Sequence, residues 1–401
     1  MKPFCNVPFV GLSARHDGTA KICCNINKSE GITKTGTYDN PGSEKFNLNI
    51  DNFHDIWNSE YMKDFRNKML TGGFDKACSR CITHNNQGVF TMRKKYNSHF
   101  DPIEIEKRVG QHQAGHSVSL PQWYDFRFSI ACDSSCTMCG PGSSNFLFKD
   151  WKKHSKFLDK DKIDQIDKAK SHYKLSIANS DFIKQVKNNL DKINFFEFRG
   201  GEPLVDRNVM DFITDVSHTQ YAKNIRIDIV TNGQQFPKHF IPILNKFKKG
   251  YLRYSIDGFD RVNEYIRYPA KWSKCENTLN LLSDLHENWD IKIISTLQVY
   301  NILNIGKLLE YLDDKYQYKV ISNSVWGVDH LSPYVMPLEK RIKYAKTLED
   351  RFPNFAKIIE KDVEVKDPQI LEKLRNHNKL MEASRGKKVT DAIPEMQFLY
   401  E

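Results

Sequence analysis

Residues 124–140 read YDFRFSIACDSSCTMCG. The first eight alternate aromatic and apolar residues with polar ones, which predicts a β-strand over 124–131. Cys132, Cys136 and Cys139 follow at once, spaced C-x3-C-x2-C. Three thiols on one short loop can converge on one metal centre. Structural zinc takes four ligands, so three leave it one short. The same three suit a 4Fe–4S cluster with one open iron, since a closed cluster normally takes four thiolates. An open iron can bind a further ligand directly.

Toward the C-terminus, five more strand-like runs follow: INFFEFRG (193–200), IRIDIVT (225–231), YLRYSID (251–257), IKIISTLQV (291–299) and YKVISNSV (318–325). Helical patterns such as FITDVSH, FIPILNKF and TLNLLSDLH lie between them. Strands separated by helices predict parallel β/α units. The expected fold is therefore α/β, a partial (β/α)6 TIM-like barrel. Chemistry in such barrels sits at the C-terminal strand ends, which is where the cysteine loop falls. The chain from about Met336 reads as helical and charged.

Toward the N-terminus the pattern is irregular. VGLSARHDGTAKICC predicts a hairpin around a His-Asp-Gly turn. A helix is predicted over Ile56–Leu70, where Ile56, Met62, Phe65 and Met69 fall near helical spacing. The polar stretch after Met92 reads as a connector. The expected organisation is a small α+β unit over 1–92, a connector over 93–118, the barrel over 119–335 and a helical extension over 336–401.

The 401 residues leave room for more than one domain and a full core. With 39% apolar and 27% charged residues, the composition is ordinary globular and not disordered. No apolar run reaches membrane-spanning length, and MKPFCNVPFVGLSARHDG lacks the apolar core of a signal peptide. A cytoplasmic location and no membrane partner are the expectation. The net charge of +10 is spread as lysines among acids, as in DWKKHSKFLDKDKIDQIDKAK, and reads as a solvated face. No aromatic-basic motif points to nucleic acid. Nine cysteines in a cytoplasmic chain argue against a disulfide framework. Cys275 lies with Trp272, Leu279 and Leu282 at helical spacing and is expected in the core.

Four motifs in order carry a resemblance to the radical SAM superfamily, over about residues 123–325: the cysteine loop, FRGGEPL after the second strand, VTNG after the third and YSIDG after the fourth. The resemblance implies a cluster on Cys132, Cys136 and Cys139 whose open iron is chelated by S-adenosylmethionine. It implies that Gly200, Gly201, Glu202 and Pro203 hold the amino group of the methionine moiety. It further implies one-electron cleavage of the sulfonium bond and hydrogen abstraction by the resulting 5′-deoxyadenosyl radical. Met138 stands where relatives often carry an aromatic residue near the adenine. Asn232, Ser255 and Asp257 stand where relatives contact the cofactor, and each also reads as turn chemistry. Arg267 stands where many relatives carry an arginine, to pair with a carboxylate or lie on the surface.

Cys5, Gly18 and Cys23 form C-x12-G-x4-C, and Cys78-x2-Cys81 comes later. This resembles the first part of the motif of SPASM and twitch domains, and the shorter twitch type fits better because the later SPASM cysteines are absent. Such domains typically follow the barrel, whereas this one precedes it. The resemblance implies an auxiliary 4Fe–4S cluster on Cys5, Cys23, Cys78 and Cys81; a four-cysteine zinc site is the other reading. Strand alternation should turn one of Cys23 and Cys24 away, and the spacing selects Cys23. A reductant protein such as flavodoxin or ferredoxin is the implied electron donor. The expected substrate is a peptide or protein, with a sugar or nucleotide-like metabolite as the alternative. A non-catalytic iron–sulfur protein is the alternative of another class, against which the intact triad and Glu202 argue. Gln298, Tyr300, Asn301, Trp326, Asp329 and His330 are expected to line the substrate cavity.

Overall fold

A computed structural model describes residues 4–26, 31–72, 78–86, 91–171, 173–325, 327–365 and 367–400. All six predicted strands of the barrel are present: β3 (Trp123–Phe126), β4 (Phe195–Phe198), β5 (Arg226–Thr231), β6 (Lys249–Ser255), β7 (Trp289–Leu297) and β8 (Val320–Ser324). They pair in parallel in chain order, with helices between them. This is an open, TIM-like partial barrel. The predicted hairpin is β1 (Gly11–Ala14) and β2 (Ala20–Lys21). β1 pairs in parallel with β3, so the hairpin extends the barrel sheet to eight strands, with β2 as the antiparallel edge. Gly18 makes its turn at φ +87°, and a Cβ there would stand 1.9 Å from Asn47 Oδ1.

The two faces of the sheet differ. On the outer face, Tyr124, Phe126, Phe196 and Phe198 pack under helices Asp181–Lys187 and Arg207–Ser217; Phe212 meets Phe196 at 5.3 Å and Phe126 at 5.6 Å. The inner face carries charge. Asp125, Glu197 and Asp228 are fully buried and aligned in register across β3, β4 and β5. Lys95 forms ion pairs with both Glu197 and Asp228, and Tyr96 donates a hydrogen bond to Glu197 at 2.7 Å. Buried carboxylates persist only with such partners.

Lys95 and Tyr96 belong to helix Met92–Asn97, which with helix Pro102–Gln113 occupies the stretch expected as a connector. The single helix expected over Ile56–Leu70 is two, Phe53–Trp57 and Glu60–Thr71. The break falls at Ser59, whose hydroxyl caps the second helix by accepting from the Met62 N–H at 3.3 Å. The tail from Leu338 is helical, and its longest helix, Pro368–Arg385, returns to the barrel. Among the described residues, no helix is long and apolar enough to cross a membrane. Cys275 lies in the core at 1% exposure.

Candidate active site

After Phe126 the chain leaves the ladder and runs on to Cys132, whose N–H donates to Asn145 Oδ1 at 3.0 Å. The cysteine loop is then pinned from several sides. Ser135 N–H donates to Tyr268 O at 2.6 Å and Thr137 N–H to Ile266 O at 2.9 Å. Thr137 Oγ1 donates to the buried Gln298 at 2.8 Å. Asp150 accepts from the hydroxyls of Ser135 and Ser384, each at 2.7 Å. Arg385 donates to Ser135 O at 2.9 Å and to Tyr265 O at 2.7 Å. Cys136 and Cys139 lie within hydrogen-bonding reach of each other, and Cys132 lies close enough to Cys136 for their charges to interact.

The Gly-Gly-Glu-Pro segment meets this loop directly. Glu202 N–H donates to Ala131 O at 2.6 Å. Gly201 has φ +54°, and a Cβ there would stand 2.3 Å from the same oxygen, so only glycine fits. Glu202 is 2% exposed. Its carboxylate accepts from Thr231 Oγ1 at 2.6 Å, Asn232 N at 2.5 Å and Leu204 N at 3.1 Å. Burial pushes this carboxyl up to about 7, against the pull of those three donors. Asn232 in turn donates to Asp133 at 2.7 Å and Ser134 at 3.1 Å. The loops after β3, β4 and β5 thus form one hydrogen-bonded rim.

Asp257, fully buried, pairs with Arg267 at 2.8 Å and accepts from Thr296 N–H at 2.6 Å. Burial raises Asp257 above the ordinary carboxylate range despite Arg267. Burial works against the Arg267 cation, but Asp257, Cys136 and Cys139 outweigh it and raise its pKa. Arg267 therefore faces both the carboxylate and the thiols. Ser255 is half-buried at the end of β6, and Pro203 is buried. Met138 and Cys139 open onto a cavity of about 450 Å³ that Asp329 and His330 also line.

Two expectations are corrected. Gln298, Tyr300 and Asn301 are not part of the cavity that Met138, Asp329 and His330 share. All three are fully buried; Gln298 holds Thr137, Tyr300 bonds Asn378, and Asn301 donates to Asp257 O at 2.8 Å. They brace the rim. Trp326 lies outside the described residues. The alternation argument for Cys23 and Cys24 also fails, because β2 ends at Lys21 and both thiols sit in the turn beyond it, within hydrogen-bonding reach of each other. Cys24 interacts with Asp125, Arg199 and Glu197 on the inner face.

Cys5, Cys23, Cys78 and Cys81 line one pocket together with Ile22, Phe65 and Met69, and Cys24 is not part of its wall. Burial, with Cys78 and Cys81 adjacent, pushes the Cys5 thiol up to about 12. Among the described residues, no group of three or more His, Cys, Asp or Glu side chains is drawn together as ligands of a single metal ion. Three thiols on one loop and four around one apolar pocket are donor sets that thiolate-bound iron–sulfur clusters use.

No family model matches the sequence. A curated relative, the radical SAM cyclopropyl synthase TigE of Paramaledivibacter caminithermalis, is 26% identical over 304 residues, covering 69% of this chain and 58% of the relative. The chain therefore spans less than two thirds of that protein's length. Among solved structures, native anSMEcpe with bound AdoMet is similar at a TM-score of 0.39 and 16% identity, over 57% of this chain and 59% of that one. Streptococcus suis SuiB bound to precursor peptide SuiA is similar at a TM-score of 0.40 and 14% identity, over 75% of this chain and 62% of that one.

Proposed function

We propose that the chain is a radical SAM enzyme, similar to the relative described above, that uses S-adenosylmethionine to abstract hydrogen from a peptide or protein. The observation that carries this reading is one juxtaposition. Three thiols, the Gly201–Ala131 contact and the buried Glu202 lie together beyond the C-terminal ends of β3 and β4.

We assign Cys132, Cys136 and Cys139 to a 4Fe–4S cluster and Gly200–Pro203 to the methionine moiety. Once reduced, such a cluster supplies the electron that splits S-adenosylmethionine into methionine and a 5′-deoxyadenosyl radical. The chain's own residues bind and orient. Gly201 lets backbone approach without a side chain in the way. A carboxylate offers about four lone-pair sites; the three internal donors to Glu202 leave one for an ammonium. Met138, half-buried at the cavity wall, offers a thioether surface to a ring. Ser255, Asp257 and Arg267 close the rim beyond β6, with Arg267 held by Asp257 and turned toward the thiols.

We assign Cys5, Cys23, Cys78 and Cys81 to an auxiliary 4Fe–4S cluster, supported by their shared pocket. A flavodoxin or ferredoxin is the proposed electron donor, and a thiol-rich chain of this kind belongs in the reducing cytoplasm. Protein reconstituted anaerobically and reduced with dithionite is expected to convert S-adenosylmethionine to 5′-deoxyadenosine and methionine. No product above the protein-free blank overturns the assignment.

A further inference from the structure

The cavity that Met138 and Cys139 open onto is walled by stretches far apart in sequence. Besides the cysteine loop, they include helix Lys160–Lys170, the turn Asp329–Leu331 beyond β8, and helix Pro368–Arg385 of the C-terminal extension. The last two bring a pair of histidines into one wall. The ring centroids of His330 and His377 are 5.0 Å apart. His377 is 2% exposed, and neither of its ring nitrogens has a hydrogen-bond partner among the described residues. Nε2 of His330 is buried and unpartnered in the same way. Buried polar atoms are normally satisfied, so three unsatisfied nitrogens on one cavity wall call for a ligand. The assigned cofactor residues make no use of them.

The rest of the wall narrows what that ligand offers. Burial, with Lys162 nearby, keeps both imidazoles uncharged at neutral pH. An uncharged imidazole carries one donor and one acceptor. The charges lining the cavity are Asp159, Asp161 and Asp329 against Lys162 and Lys373, and Lys162 is already paired with Asp159 at 2.5 Å. Charges so nearly balanced favour neither an anion nor a cation. A group that gives and takes hydrogen bonds without bearing charge is an amide.

We propose that His330 and His377 determine specificity by binding an amide of the substrate in the cavity shared with Met138 and Cys139. Position supports this. The helix that supplies His377 also clamps the cysteine loop, through Ser384 to Asp150 and Arg385 to Ser135 O. The imidazole is thereby held in fixed relation to the loop assigned to the cluster. Trp151 and Ile370 give the cavity apolar surface for the residues beside the amide. The inference rests on the reading of the chain as an enzyme of peptides, and it names the group of the peptide that is held.

The test uses full-length protein reconstituted anaerobically and left unreduced, with S-adenosylmethionine present. It is titrated calorimetrically with end-blocked alanyl-asparaginyl-alanine, trialanine, alanyl-aspartyl-alanine and alanyl-lysyl-alanine. Saturable binding of the asparaginyl peptide is expected. Equal binding of trialanine identifies a main-chain amide as the group read, and weaker binding identifies the side-chain carboxamide. His377→Leu and His330→Leu are each expected to weaken binding at least about tenfold. His377→Gln, which keeps a donor and an acceptor, is expected to weaken it less. Tightest binding of the aspartyl or lysyl peptide, no binding of either neutral one, or unchanged binding in both leucine variants overturns the proposal. So does equal loss in His377→Leu and His377→Gln, which assigns His377 to packing. A matching loss of S-adenosylmethionine affinity, titrated without peptide, also overturns it and assigns the histidines to the cofactor. Failure of the unmodified protein to cleave S-adenosylmethionine on reduction defeats the enzymatic reading alone, since peptide binding is measured on unreduced protein.

Discussion

Cys132, Cys136 and Cys139 come from one loop, whereas Cys5, Cys23, Cys78 and Cys81 come from the start of the chain, the turn after a hairpin and the edge of a short helix. The first loop is held by backbone and side-chain bonds to four other elements, Arg385 and Asp150 among them. At the second site, Asn25 donates to Cys23 at 3.2 Å and to Cys81 at 3.8 Å, and the Val7 backbone meets Cys5. In the barrel, the fold presents the ligands. In the N-terminal unit, the proposed cluster would join segments far apart in sequence, so its binding is expected to be coupled to local folding.

The largest expected effect separates the two sites outright. Replacing Cys132, Cys136 and Cys139 together with Ala should reduce S-adenosylmethionine cleavage to background, while iron analysis finds about four of eight irons retained. Loss of all iron would show that the sites are not independent. Next, Cys23→Ala should remove the auxiliary iron and open the N-terminal unit to limited proteolysis, lowering its melting by roughly 5–10 °C. Cys24→Ala should keep the iron; the reverse pattern would mean that the wrong neighbour faces the pocket.

A smaller effect tests the claim that the fold holds the barrel loop. Arg385→Met leaves Ser135 O and Tyr265 O without their donor and should cost about 2 kcal/mol in chemical denaturation, with iron content unchanged. Loss of the barrel cluster instead would make that loop as metal-dependent as the other. The smallest effect is a pH slope from the same helix. His377 is 2% exposed and its ring lies 5.0 Å from that of His330, tilted by 53°. Burial lowers His377 well below 6.5, and burial with Lys162 nearby lowers His330 to about 4. Both are neutral folded or unfolded above pH 6.5, so stability is full there. Between 6.5 and 4 the unfolded chain takes up protons that the folded one refuses, and stability falls. His377→Gln should flatten that slope in melting curves taken from pH 7 to pH 4.5; an unchanged slope would place the linkage elsewhere.

The six barrel strands were legible because apolar and polar residues alternate along most of them, between stretches of helical periodicity. The first was read too long: pairing ends at Phe126, although residues 127–131 continue to the cysteines. The cysteine loop and Gly-Gly-Glu-Pro were legible because each is local in sequence. The inner-face charges had a signal that was not used, acid and arginine two apart in YDFRF and FEFRG. The Arg385 clamp had none, since its partner Ser135 lies 250 residues away. Lys95 and Tyr96 were hidden in the same way, in a stretch too polar to suggest an interior. Cys23 and Cys24 show the converse: the spacing points to the sulfur that lines the pocket, but the strand argument offered for it does not hold.

The parallel pairing of β1 with β3 also sets an order in time. β1 leaves the ribosome before β3, with the two residues of β2 for a neighbour, and its other partner, Trp123–Phe126, is made more than a hundred residues later. Contacts so distant in sequence form late. The N-terminal cysteines are therefore exposed on an unfinished chain while the barrel is still being synthesised. A cluster at the proposed auxiliary site would then be delivered after translation has passed β3, to a site whose foundation is the last part of it to arrive.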